Sequence, residues 1–516
     1  MVSFAGWIVA SFACFTMSNS NDFSNDNNHV PPALATTATT SATLATTTTT
    51  RRPTFRTLSS TFSDQSRSSS SSLSSAASKL LREGAAQMEQ RAKQQSPLTP
   101  QELNDILNSI QNITPSDYDT LSLEDLRIVL SEIAHLSHKD WHVTGENAQR
   151  LGNILLQDQR IPELPIRQML ERCLVEGNWD EAAHHASQIA IPSSSSSSTP
   201  RNLPWAVLVT GVNGIRKTTS MYQPWFPTVL QEALIPPKAT ATTVSHESPV
   251  EFDVNLLPSG SNSFFRQLDH MIATLCNEDF CCLYRLTADL LSDDASDYDY
   301  EISDDVIQQY TGFKAAIFTR YRTLSELLGV LLLREAQGHK MNCMMETSGR
   351  DVAMFHYVDH FFPTGYQKLA LHFQINDLNQ AKTSVDARMV REIQTGMQAV
   401  ASQDVFQVIY SNAGGPYGSS VLPGIQEESD RVWKQVVMSD AVEASVGKDW
   451  YKATIQITAY ADRPWTAQAI KPDGSLGQVF EFESSFSQQP ETDIEPQQRD
   501  EALPTRKRKE RSTTEQ

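Results

Sequence analysis

The chain reads as an α/β protein: an αβα core with a mainly parallel sheet, preceded by an all-helical domain and followed by an antiparallel β-hairpin extension. Three observations predict this. Apolar runs at Trp205–Thr210, 340–350 and 368–376 alternate with helical patterns, as βαβ units do. Through residues 79–191, apolar residues recur at three- and four-residue spacing. Residues 450–460, 466–470 and 477–483 run apolar or alternate around the turn signature Pro472-Asp473-Gly474.

A length of 516 residues corresponds to two or three domains. With 39% hydrophobic and 8% aromatic residues the chain can bury a sizeable core. The net charge of −19 excludes a general nucleic-acid coat, which needs basic surface to displace counterions. No nucleic-acid partner is therefore expected. The six cysteines show neither a paired framework nor zinc spacing, and Cys281-Cys282 are adjacent, so a reducing compartment is the simpler reading. No apolar run is long enough to span a bilayer.

Residues 1–78 form a leader. A short apolar stretch from Phe4 to Phe15 precedes a Ser/Thr-rich segment in which Arg51, Arg52, Arg56 and Arg67 outnumber Asp22, Asp26 and Asp64. Two readings stand: a targeting sequence for a plastid or mitochondrion, or a low-complexity tail on a cytoplasmic protein. Residues 79–191 read as a helical bundle. Leu103, Ile106, Leu107 and Ile110 follow a turn at Pro97–Pro100, and Leu126, Val129, Leu130 and Ile133 follow Ser122 as N-cap. His184-His185 reads as a solvated helix face. The serine run in 192–202 is a linker, 203–445 the core, 446–487 the β extension and 488–516 a polar tail. The tail's basic cluster at 506–511 is either a nuclear address or solvated surface.

The sharpest motif is the passage from Trp205–Thr210 into Gly211-Val212-Asn213-Gly214-Ile215-Arg216-Lys217-Thr218-Thr219. It matches the phosphate-binding loop (P-loop) pattern G-x-x-x-x-G-K-[ST], with Arg216 in place of the second glycine. Such a loop surrounds phosphate oxygens with backbone N–H groups at a helix N-terminus. Lys217 then reaches the outer phosphates, and the Thr218 hydroxyl sits on Mg²⁺. Gly211 and Gly214 permit the tight turn. Pro224 and Pro227 interrupt the helix that follows.

In an open parallel sheet, ligands bind beyond the carboxyl ends of the strands. There the loop, Glu346–Arg350 and Asn376-Asp377 converge. Glu346 is placed to hold Mg²⁺ or its water, and Arg350 to reach phosphate. Arg388 and Arg391, on the helix after Asp377, are placed to close as a lid. The segment from Asn262 to Asp269 is a candidate acceptor side or, more plainly, an amphipathic helix start capped by Ser263.

These pieces, in this order, resemble the zeta-toxin-like branch of P-loop kinases over roughly residues 203–412. The resemblance rests on Gly211 to Thr218, Phe265-Arg266, Glu346-Thr347 with Arg350, and the lid arginines Arg388 and Arg391. It implies an ATP-dependent kinase phosphorylating a small-molecule hydroxyl, with ATP and Mg²⁺ as cofactors. Gly211, Asn213, Gly214, Lys217, Thr218, Thr219 and Arg391 would contact nucleotide, and Thr218 and Glu346 would hold the metal. Lys217, Arg350 and Arg388 would act on the transferred group. Where the family carries its catalytic aspartate this chain has Ser263, a poor base at neutral pH. Asp269 or Asp253 is the candidate replacement. Arg216 and Ser263 keep a second reading open: a catalytically inactive pseudo-kinase, nucleotide-binding or nucleotide-free, that serves as a scaffold while its helical domain binds a protein partner.

Overall fold

The computed structural model describes residues 99–112, 123–132, 140–156, 165–189, 203–237, 252–266, 268–292, 302–362, 364–412, 414–437, 447 and 449–483. The leader, the serine linker, the Ser122 cap and the basic tail cluster lie outside these residues.

Five helices come first: α1 (Pro100–Asn112), α2 (Leu123–Ser131), α3 (Trp141–Leu156), α4 (Pro165–Glu176) and α5 (Trp179–Ile189). The start of α1 is a capping box. Thr99 N–H donates to Glu102 Oε2 at 2.8 Å, Glu102 N–H donates to Thr99 Oγ1 at 3.3 Å, and Pro100 opens the first turn.

A strand covered on both faces must be apolar throughout, and β1 (Trp205–Thr210) is buried along its whole length. It lies in a seven-stranded sheet of order β2-β3-β1-β4-β5-β6-β7. Here β2 is Ser263–Phe265, β3 Asn342–Glu346, β4 Gln367–Ile375, β5 Tyr451–Thr458, β6 Trp465–Ile470 and β7 Phe480–Phe482. The first five strands in that order are parallel, and β6 and β7 are antiparallel. This is an α/β architecture with a mostly parallel sheet. The C-terminal strands continue that sheet, because β5 pairs in parallel with β4 from Leu369↔Tyr451 to Ile375↔Ile457.

Crossovers between the parallel strands are helical. The β1–β2 connection holds α6 (Lys217–Met221) and α7 (Phe226–Ala233), with the prolines setting the break: Pro227 sits in the first turn of α7. The β2–β3 connection holds α8 (Leu268–Leu275), α9 (Asn277–Ser292) and the 35-residue α10 (Asp304–Gly338). Ser303 caps α10, and Asp304 and Asp305 complement the positive end of its dipole. Then α11 (Ala353–Phe361) joins β3 to β4, while α12 (Leu378–Ser402), α13 (Val405–Ser411) and α14 (Leu422–Val432) lead to β5.

The N-terminal helices are docked on this core. Trp141 meets the Tyr357 ring edge-on at 5.0 Å, and Trp179 meets Phe264 at 5.2 Å. Gly152 packs on Leu331 of α10. At the α4–α5 turn, the Gly177 carbonyl accepts the Phe265 N–H at 2.8 Å, which covers the β2 edge. Buried residues of both parts belong to one continuous apolar core. Sequence periodicity registers the helices but not this docking.

Candidate functional site

β1 ends at Thr210 and the chain turns at Gly211 (φ 129°) and Gly214 (φ 84°). A Cβ on Gly211 would stand 2.6 Å from the Phe373 carbonyl oxygen, and one on Gly214 2.5 Å from that of Ala381. Glycine is what lets this loop close against β4 and α12. Arg216, the N-cap of α6, has φ 63° and ψ 33°. The position that the motif reserves for glycine thus demands left-handed backbone here, which costs an L-residue roughly 1–2 kcal/mol.

The Arg216 guanidinium lies 5.9 Å from the Trp465 ring of β6. Burial, reinforced by the positive charges of Arg391 and Arg388, pushes that guanidinium down to about 10. Lys217 is buried: Nζ donates to the carbonyls of Gly211 at 2.8 Å and Val212 at 2.9 Å, and lies 3.3 Å from Glu346 Oε1. Desolvation lowers its pKa and Glu346 opposes that, while Arg388 adds to the lowering. The other carboxylate oxygen of Glu346 accepts from Thr218 Oγ1 at 2.7 Å. Thr218 and Glu346 are exposed, and the Thr219 carbonyl accepts from Gln223.

The sheet produces this meeting. β1 and β3 are parallel neighbours with Val209 opposite Glu346, so the loop after one and the carboxylate ending the other share one sheet edge. Their ends stay zipped: Thr347 N–H donates to Val209 O at 2.9 Å, and Gly211 N–H to Ser348 O at 3.4 Å. β4 flanks β1 on the other side and launches α12, which carries Arg388 and Arg391. Ligand crevices form at such a switch in strand order.

A segment that sequence reasoning missed overlies the site. Lys314 donates to the Gly414 carbonyl at 2.8 Å, and Arg388 Nη2 to that of Gly415 at 3.4 Å. A Cβ on Gly415 would be 4.0 Å from both Asn213 Nδ2 and Asp269 Oδ2, so Asp269 faces the loop across this glycine. Exposed Arg350 donates to Tyr417 Oη at 3.1 Å and lies over its ring. Asn213, Arg350, Arg388 and Asp269 are thus gathered around 414–417.

The segment from Asn262 onward is not a helix start capped by Ser263: Ser263–Phe265 is strand and the helix begins at Leu268. Ser263 is a fully buried strand residue whose hydroxyl donates to Asn262 Oδ1 at 3.1 Å, so it neither caps a helix nor faces solvent. Arg266 is buried against Glu326 and the Tyr357 ring, which makes it a packing element. Asp253 caps a short turn through the Asn255 N–H at 3.0 Å. Asp269 alone of these lies beside the loop.

Behind the loop lies another polar group. The Thr210 hydroxyl is 2.9 Å from His372 Nδ1, and His372 Nε2 is 3.5 Å from Asp430 of α14. The ring stacks on Trp433 at 4.7 Å. Burial depresses the His372 pKa, keeping the imidazole neutral, and Asp430 only partly opposes this. A histidine amid an apolar strand is its one signal in the sequence.

The donor set fits a polyphosphate. Lys217 and Arg388 lie beside the loop together with a carboxylate and a hydroxyl of the kind a hard cation takes. Among the described residues no cluster of three or more His, Cys, Asp or Glu side chains forms a metal cage. Magnesium held by one carboxylate normally shares phosphate oxygens as well. The chain was compared with models of known protein families, with curated proteins and with solved structures, and none matches.

Proposed function

We propose that the chain is an ATP-dependent small-molecule kinase with a divergent P-loop core, similar to the zeta-toxin-like kinases. The observation that carries this reading is the meeting of Lys217, Thr218 and Glu346 at the β1 and β3 ends, with Arg388 bound to the Gly415 carbonyl beside Asn213 of the same loop.

Bound Mg-ATP would supply the phosphoryl group and a cation that offsets its charge. On this reading Lys217 neutralises phosphate charge, and Thr218 and Glu346 hold the metal. Arg350 and Arg388 stabilise charge on the transferred group. Gly211, Asn213, Gly214, Thr219 and Arg391 position the nucleotide, and Arg216 adds a cation where the motif has none. Asp269 is the base assigned to the acceptor hydroxyl: it faces the loop, whereas Ser263 is sealed in the sheet.

One observation favours the pseudo-kinase scaffold instead. Lys217 is satisfied by two carbonyls of its own loop and by Glu346, an arrangement that a nucleotide must displace.

Calorimetry of Mg-ATP against the full chain, followed by acceptor-dependent ADP release, decides between them, since binding without turnover leaves a nucleotide-binding scaffold. The kinase reading expects binding that weakens roughly ten- to hundredfold in Lys217→Ala, the loss of one charge-assisted contact. ADP release with a panel of hydroxyl acceptors then identifies the substrate. Absence of binding by well-folded wild type would overturn the kinase and leave the scaffold.

A further inference from the structure

Helix-covered faces of a parallel sheet are normally apolar, yet β4, β5 and β6 break this rule together. In the strand register Gln374 lies opposite Gln456, and Gln456 opposite Gln468. Residues opposite one another on neighbouring strands share a face, about 4.8 Å apart. Three glutamines therefore form one row across three strands.

The row floors a cleft of about 400 Å³ near the carboxyl ends of β4 and β5, roofed by Gln426, Asp430 and Lys434. This volume suits a small organic molecule. The amides are not spent on one another. Gln456 Nε2 donates to the Ile457 carbonyl at 2.9 Å, and Gln468 Nε2 to that of Gly477 at 3.3 Å. The amide nitrogens of Gln456 and Gln468 are held by backbone, which leaves their Oε1 oxygens for the cleft. Gln426 Oε1 is buried and has no hydrogen-bond partner.

The lining also specifies what enters. Its charged lining residues are Asp430 and Lys434, whose charges cancel, so the lining carries no net charge that would favour an ionic ligand. Among the described residues no aromatic ring lines the cleft, and Ile375 and Leu476 are its apolar members, so a purine would find no ring among them to stack on. Closely spaced amide and carboxylate oxygens match the hydroxyls of a sugar or cyclitol ring, which donate and accept at similar spacing.

We propose that this cleft is a binding site for a neutral polyhydroxylated small molecule, distinct from the phosphate loop. It lies on the strands beyond β1, and its link to the loop is the Asp430–His372–Thr210 chain. The proposal stands whether or not the loop binds nucleotide.

The test is ligand-observed NMR and calorimetry on the full chain without nucleotide, using myo-inositol, D-glucose and D-ribose as probes. At least one probe is expected to bind, and to weaken about tenfold in Gln468→Leu and in Gln374→Leu, as for one lost hydrogen bond each. Far-UV dichroism and the thermal transition verify that both variants fold; a variant that does not is replaced by Gln426→Leu on the helix roof. No binding of any probe to folded wild type, or binding insensitive to the folded variants, overturns the proposal. Polyol binding without Mg-ATP binding would uphold the cleft while sinking the kinase reading.

Discussion

Arg216 occupies a backbone conformation that suits glycine, and its guanidinium is half-buried, which lowers its pKa. Both features cost stability, and both concern the same loop, where strain is commonly stored for function. Arg216→Gly should therefore stabilise the fold by about 1 kcal/mol in denaturant unfolding, by relieving the left-handed backbone. The same change should weaken pyrophosphate binding, because a cation is lost. Equal or tighter pyrophosphate binding in Arg216→Gly would show that the side chain crowds the site. At this scale the sequence was informative about Gly211, Gly214 and Lys217, whose roles follow from local chain geometry. It was silent on why arginine is tolerated at 216, since the Trp465 ring under its guanidinium, at 5.9 Å, comes from a distant strand.

Among the elements, β1, β3 and β4 were legible because strands buried on both faces appear as apolar runs. β2 was not, since Ser263-Phe264-Phe265 is too short to show a period and takes its strand character from pairing with β3. The long α10 carries charges at positions its pattern marks as core. Lys314 is fully buried against Glu392 of α12, whose carboxylate also accepts from Tyr310 Oη at 2.5 Å. Desolvation lowers the Lys314 pKa although Glu392 opposes it. Removing one partner strands a buried charge, so Lys314→Met should cost about 3–5 kcal/mol, and adding Glu392→Leu should recover most of that. Denaturant midpoints of the single and double variants check it. Full additivity between the two sites would mean that they do not interact. Because Lys314 also holds the Gly414 carbonyl, the single variant should loosen 414–417 over Asp269 and Arg388, visible as faster amide exchange there.

For the whole molecule, the notable fact is that the N-terminal helices share one core with the sheet. Trp179 is buried against Phe264 and His339, and Gly177 covers the β2 edge. Trp179→Ala should destabilise by about 3–5 kcal/mol, and should shift helix melting and the near-UV signal of the sheet domain together. A separate, earlier helical transition that leaves the sheet signal unchanged would show the helices to be an independent unit. Among the described residues no helix is long and apolar enough to cross a membrane.

Read along the chain, the residues were enough to specify the α/β alternation, the glycine-turned loop after β1 and the carboxylate at the end of β3. Each depends on steric preference and burial within a few neighbouring residues. Folding decided the rest. Crossovers carried Arg388, Arg391 and Gly415 to the loop, sealed Ser263 inside the sheet and left Asp269 facing Asn213. Strand register aligned Gln374, Gln456 and Gln468, which are far apart in sequence. The physical reason is that hydrophobic burial selects which faces close on one another without specifying polar partners locally. Those partners are set only when parallel pairing aligns distant strands residue by residue.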